Sequence, residues 1–127
     1  MSGARLLLDT NGVVALLSGT SGLTAEIRDA SWVGISVITR LEFLAFSGLS
    51  SEDEALFERF CGRVETVGLT KDDHDLLDSA VRLRRDFGLK LPDAIIAATT
   101  LVNAAVLVTA DADFRRVSGL KVLNPLA

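Results

Sequence analysis

Four acids stand where a chain seldom places charge. Asp9 ends the apolar run of "LLLDTNGVVALL", Glu42 lies in "ISVITRLEFLAF", Asp93 in "LKLPDAIIAATTL" and Asp111 in "VLVTADADF". An ionised carboxylate in apolar surroundings is costly unless it is paired, hydrogen-bonded or bound to a metal. Carboxylates that converge also raise one another's pKa unless something positive sits among them. No lysine or arginine occurs within two positions of Asp9 or Asp111, although Arg40 is near Glu42 and Lys90 near Asp93. Hard divalent cations such as Mg²⁺ or Mn²⁺ prefer carboxylate oxygen and retain water, so they resolve the repulsion. An acid cluster holding such ions suits phosphodiester hydrolysis. One ion lowers the pKa of the attacking water, and a second, about 3.5–4 Å away, stabilises the leaving oxygen.

Each acid also has a structural reading. Asp9 can cap a helix beginning near Asn11, and Asp93 after Pro92 suits the positive end of a helix macrodipole. Asp111 and Asp113 in "TADADF" can be turn residues. Glu42 is harder to explain, because it falls at helical spacing with Ile38, Leu41 and Ala45, on or beside a stripe expected to face the core. Asp93 heads the row Ile96, Ala97, Thr100 and Leu101 at spacings of three and four.

The elements that must position these acids alternate between short apolar runs and helical patterns. Arg5–Leu8, Trp32–Ile35, Val64–Val67, Ala105–Val108 and Lys121–Leu123 read as strands. Between them, Val37, Ile38, Leu41, Leu44 and Ala45 form one apolar stripe, and Leu76, Leu77, Ala80, Val81 and Phe87 form another. Ser36 precedes the first, and Ser51 with Glu54 is a candidate capping box for a helix near residues 52–62. Gly88 can end the long helix and Pro92 can open the next at its first position. The alternation predicts an α/β fold, a central mainly parallel sheet flanked by helices. Ligands of such folds bind at the carboxyl ends of the strands, and Asp9 and Asp111 directly follow strands. Asp93 joins them only if its helix begins on the same side of the sheet.

The bulk properties agree. A chain of 127 residues with 49% hydrophobic residues fits one domain with a substantial core. The longest apolar stretch, Ala94 to Val108, is 15 residues and contains Asn103 and two threonines. A spanning helix needs roughly 20, so a buried helix running into a buried strand fits better. The N-terminal "MSGARLLLD" is too short for a signal-peptide core, which predicts a cytoplasmic protein. Cys61 is the only cysteine, so no internal disulfide forms, and a zinc site would rest on His74 and carboxylates. Cys61 shares an apolar stripe with Leu56, Phe57 and Phe60 and reads as a small buried hydrophobe, and His74 as solvated. The net charge of −4 argues at face value against a polyanionic partner. Two divalent ions at the four acids would formally cancel it. Arg40, Arg82, Lys90 and Arg115 can then line a route for a phosphate backbone, while Arg84, Arg85 and Arg116 read as solvated helix faces.

The four quoted segments, in this order, resemble the PIN domain, and most closely the VapC-like ribonuclease toxins of bacterial toxin–antitoxin pairs. The resemblance covers nearly the whole chain, and "LPDAIIAAT" followed by "LVTADADF" is its most specific part. It implies a three-layer α/β fold and a Mg²⁺- or Mn²⁺-dependent endoribonuclease acting on RNA. Asp9, Glu42, Asp93 and Asp111 become the acidic metal-site residues by this resemblance. Asn11 and Thr109 become supporting polar groups, and Asp113 a secondary acid. It further implies a homodimer and a cognate antitoxin whose tail can occupy the active-site groove; the nearly all-apolar helix from Ala94 to Leu101 is compatible with a buried interface. Two other phosphoryl chemistries fit less well. A haloacid-dehalogenase-like phosphatase needs a second aspartate two positions after the first, where this chain has Asn11. A receiver domain needs a lysine after its last strand, and Lys121 is at the start of that strand. The non-enzymatic alternative is an α/β interaction module whose acidic pocket binds a basic peptide.

Overall fold

The computed structural model describes residues 3–126. Five strands, β1 (Arg5–Leu8), β2 (Trp32–Ser36), β3 (Glu65–Val67), β4 (Val106–Val108) and β5 (Val122–Leu123), form one sheet in the order β3-β2-β1-β4-β5. All four pairings are parallel, with Leu6 opposite Val33 on one side and Val106 on the other. The strands match their predicted positions to within a residue at either end. Parallel central strands are covered on both faces and read as continuous apolar runs. Leu6, Leu7 and Leu8 of β1 accordingly have no exposed surface.

The helices are α1 (Thr10–Leu17), α2 (Thr24–Asp29), α3 (Val37–Leu44), α4 (Ser51–Cys61), α5 (His74–Phe87) and α6 (Leu91–Val102), and a 3-10 turn spans Ala112–Arg116. Side-chain alternation along the strands sorts them into two layers. Leu6, Leu8, Ile35 and Val108 pack with Val13, Phe43, Phe57 and Phe60, the contributions of α1, α3 and α4. Leu7 and Leu107 point the other way, into Leu76, Ala80, Leu83, Ala94, Ile96 and Ala97 of α5 and α6. Phe43 stacks on Phe57 with ring centroids 4.1 Å apart, which locks α3 to α4. The result is the three-layer α/β architecture predicted.

Several local expectations shift. The buried face of α3 is Thr39 and Phe43, not the stripe through Leu41 and Ala45, and Leu41 is 59% exposed. An eight-residue helix that is apolar on most sides carries too little periodicity to identify its inner face. The capping box of α4 is one residue earlier than Ser51 and Glu54: Ser50 Oγ accepts from the Asp53 N–H, and Asp53 Oδ2 accepts from the Ser50 N–H. Pro92 is the second residue of α6, after Leu91. Gly88 ends α5 in the left-handed conformation, with φ of 67°, as predicted. Cys61 is half-buried and His74 exposed. The short α2 had no signal in the sequence and buries none of its own residues fully. The apolar character of α6 is used internally, since Ala94 and Ile96–Thr100 are buried within this chain. No helix among the described residues is long and apolar enough to cross a membrane.

One glycine sets how closely α1 approaches the sheet. A Cβ at Gly12 would lie 2.6 Å from the carbonyl oxygen of Val108, a backbone atom of β4 that also accepts from the Asp9 N–H. Replacing a helical glycine by alanine ordinarily gains about 1 kcal/mol. Here Gly12→Ala should instead destabilise by about 1–3 kcal/mol, the range for overpacking a filled site. A denaturant melt of the metal-free protein reads the sign, and a stabilised variant would contradict this packing.

Candidate metal centre

The order β3-β2-β1-β4-β5 makes the site. From β1 the chain moves outward through β2 to β3, then returns across the sheet to β4 on the other side of β1. Strand order therefore reverses between β1 and β4, and in open α/β sheets a crevice opens at the carboxyl ends of the strands where that happens. Asp9 follows β1 and Asp111 follows the Thr109–Ala110 extension of β4, so each lies at that crevice. Asp9, Glu42, Asp93 and Asp111 all line one cavity of about 320 Å³ there, together with Thr10, Asn11, Val14 and Ile96. The helix carrying Asp93 does begin on the side the strands point to. The chain passes from β3 into α5, whose start lies beside Val102 and Asn103 at the far end of α6, so α5 and α6 run in opposite directions.

Asp9 is the most constrained of the four. It is 4% exposed and caps α1, its Oδ1 accepting from the Gly12 N–H at 2.9 Å. Its Oδ2 accepts from the Thr109 hydroxyl and from Asn11 Nδ2 at 3.2 Å. Asn11 Oδ1 in turn accepts from the Ala110 N–H at 2.7 Å, and Thr109 Oγ1 accepts from the Asp111 N–H at 3.0 Å. These bonds tie the end of β1 to the end of β4. The capping reading and the site reading of Asp9 are thus the same geometry. Asp111 likewise caps the 3-10 turn, accepting from the Asp113 N–H at 2.9 Å. Asp93, half-buried, sits in the first turn of α6. Glu42 is exposed on α3 and faces α1, where Thr10 Oγ1 donates to its Oε1 at 2.7 Å.

The basic residues stand apart from the cavity. Arg40 is on the opposite side of α3 from Glu42 and pairs with Glu58 of α4 at 3.0 Å. Arg82 on α5 and Arg115 in the 3-10 turn are exposed and do not line the cavity. Lys90 is the nearest, one turn before Asp93, and it partly offsets the acids' effect on that carboxyl. Asp113 is exposed outside the cavity lining, with Arg116 4.0 Å away. Residues that pattern-reading did not single out are Thr10 and Gly12, one donating to Glu42 and the other to Asp9. Their only sequence signal is their place beside Asp9. A second cavity, of about 350 Å³, shares Thr10, Val14 and Glu42 with the first and is otherwise mostly apolar, lined by Leu17, Phe43, Phe46, Leu49 and Leu56.

The electrostatics follow from burial and like charge. Burial pushes the Asp9 carboxyl up from 3.8 to about 6, against the hydrogen bonds from Thr109 and Gly12, with Asp111 and Asp93 adding to the rise. Burial also raises Asp93, reinforced by Asp111 and Glu42. Among the described residues no three His, Cys, Asp or Glu side chains stand close enough to grip one ion together. An all-oxygen, uncompensated set of this breadth fits a hard cation that keeps part of its water shell, as Mg²⁺ does, and not zinc. Without a cation, Asp9 binds its proton more tightly in the folded chain than in the unfolded one. Its contribution to stability is complete below pH 3.8 and is lost as pH rises through about 6. Asp9→Asn keeps an N-cap acceptor and removes the charge. At pH 7.5 in EDTA the variant should therefore be more stable than wild type, on the order of 2 kcal/mol, and the gap should close by pH 4.5. Thermal melts at the two pH values check this; a variant less stable at pH 7.5 would contradict it.

Comparison with known proteins agrees with this geometry. The PIN domain family profile matches residues 6–120. A chain of a toxin–antitoxin complex from Klebsiella pneumoniae superposes with a TM-score of 0.76 at 28% identity, covering 95% of this chain and 98% of that one. A chain of VapBC2 from Rickettsia felis, bound to a DNA fragment from its promoter, gives 0.76 at 19% identity over 94% and 98%. One of DNA-bound VapBC from Salmonella typhimurium gives 0.73 at 23% identity over 94% and 97%. No curated protein sequence matches the chain. With the family profile spanning both strands of the acidic crevice and all four acids, the chain belongs to the PIN domain family, whose members are generally nucleases.

Proposed function

We propose that this protein is a metal-dependent endoribonuclease, the toxin of a toxin–antitoxin pair, which hydrolyses RNA phosphodiester bonds at the cavity lined by Asp9, Glu42, Asp93 and Asp111. The observation that carries the reading is the convergence of four carboxylates, with no basic residue among the lining, at the crevice between β1 and β4. Mg²⁺ or Mn²⁺ bound to these acids would lower the pKa of the attacking water and offset charge on the scissile phosphate. Asn11 and Thr109 hold Asp9 at a fixed angle, so the deepest ligand costs little to organise. Hydrolysis joins a water oxygen to phosphorus, breaks a phosphorus–oxygen bond to ribose and delivers the proton that the water gives up to the departing ribose oxygen. Burial, and then Asp111 and Glu42, raise the Asp93 carboxyl, which would help it carry that proton in passage. Of the four cations expected along an RNA backbone, Lys90, Arg82 and Arg115 are exposed, whereas Arg40 is engaged by Glu58. Asp113 supplies its N–H to Asp111 and acts from outside the cavity.

The antitoxin partner is supported by the complexes that the structural neighbours come from. The apolar cavity that adjoins the acids offers an apolar stretch of such a partner a surface to bury. A homodimer and a cytoplasmic location complete the reading. A second reading, an interaction module that binds a basic peptide at the acids, draws on the absence of a tight ligand trio among the described residues.

Incubation of pooled structured RNAs with the protein in EDTA, Mg²⁺ or Mn²⁺ separates the two. The nuclease should cut only with the cation, and Asp93→Asn should lose that activity while keeping its fold. Mn²⁺ at about 100 times its Kd should also stabilise wild type by about 2.7 kcal/mol. Cleavage that survives in EDTA or in Asp93→Asn would overturn the assignment. Failure of Mn²⁺ to shift the melt would favour the peptide-binding module.

A further inference from the structure

We propose that Thr10 is a positioning residue for the acidic site, its hydroxyl holding the Glu42 carboxylate toward Asp9 and away from the adjoining apolar cavity. The inference rests on the reading of the four acids as a cation site. It starts from a difference in how the acids are held. Asp9 has donors on both carboxylate oxygens, and Asp111 has the Asp113 N–H. Both are short side chains rooted at the ends of strands. Glu42 is longer, with one more rotatable bond, and lies exposed on a separate helix. Its one side-chain hydrogen bond among the described residues is the 2.7 Å bond from Thr10 Oγ1.

Thr10 is well placed for this. It is the first residue of α1, immediately after the Asp9 cap, so its backbone is fixed by the same bond that fixes Asp9. A β-branched side chain has few χ1 choices, and the hydroxyl donates from a nearly rigid mount. The bond also crosses the partition between two cavities: Thr10, Val14 and Glu42 line both the acidic one and the apolar one. Released from Thr10, the Glu42 carboxylate can swing toward solvent over Phe46, itself 65% exposed, and out of reach of a shared cation. Held, it is the only acid delivered to the cavity from α3. Thr10 therefore sets the organisation of the cation site through Glu42 and contributes no ligand of its own.

Mn²⁺ titration calorimetry on Thr10→Val, Thr10→Ser, Glu42→Gln and the Thr10→Val/Glu42→Gln double variant tests this, with wild type alongside. Loss of the hydroxyl should weaken Mn²⁺ binding about three- to tenfold, the scale of one hydrogen bond. Serine, which keeps the donor, should restore affinity to within about twofold of wild type, and Thr10→Val should add less than about twofold in the Glu42→Gln background. Unchanged or tighter binding by Thr10→Val overturns the proposal, as does a serine variant as weak as valine, or an equal loss without Glu42. Those failures leave wild-type binding intact. A wild type that takes up no Mn²⁺ overturns the cation site itself and this inference with it.

Discussion

The structure turns on one electrostatic constraint: Asp9 must be able to carry charge at the end of a strand whose Leu6, Leu7 and Leu8 have no exposed surface. Water cannot solvate it, so the fold does. The N-terminus of α1 contributes the Gly12 N–H and the favourable end of its dipole, and β4 contributes the Thr109 hydroxyl through its extension. These donors lower the Asp9 carboxyl but do not overcome burial, and it remains raised to about 6. Asp111 and Asp93 in the same crevice push it further up, and Asp111 and Glu42 do the same to Asp93. On the proposed reading, a divalent cation would offset this repulsion, and its binding would return stability given up without it.

Topology explains why the acids meet although they are scattered along the chain. A sheet grown outward from β1 on both sides places the ends of β1 and β4 side by side with no helix crossing over them. The layer of α1 and α3 then brings Glu42 from one face and the layer of α6 brings Asp93 from the other. The missing Cβ at Gly12 lets α1 sit hard against the Val108 carbonyl. From this first turn of α1, Thr10 and Gly12 donate to different acids, Glu42 and Asp9.

Much of this was legible in the residues. Strands of the parallel sheet are short apolar runs with sharp ends, and each of the five was placed to within a residue. Asp9 and Asp111 were legible because charge at the end of a buried run is chemically conspicuous, and Asp93 because it heads an apolar row. What escaped was whatever depends on direction. Glu42 attracted notice for a wrong reason: it was set on a core-facing stripe with Leu41, yet Thr39 and Phe43 are the buried face and Glu42 is exposed beside the cavity. Arg40, two residues from Glu42, was expected along a phosphate-backbone route, but a step of 200° around a helix sends it to Glu58 instead. Thr10 is an unremarkable residue type, and its bond to Glu42 spans 32 positions. Pairings at that distance depend on how α1 and α3 dock, which no local pattern encodes.

The central claim is that Asp9, Glu42, Asp93 and Asp111 form a divalent-cation site. Anomalous diffraction at the manganese edge, from crystals grown with Mn²⁺, tests it most directly. The account predicts a peak in the crevice between the ends of β1 and β4, within ligand reach of Asp9 and of at least one further acid of the four. Manganese bound elsewhere, for instance along the Asp72–Asp75 acidic segment, with none in the crevice, would contradict it.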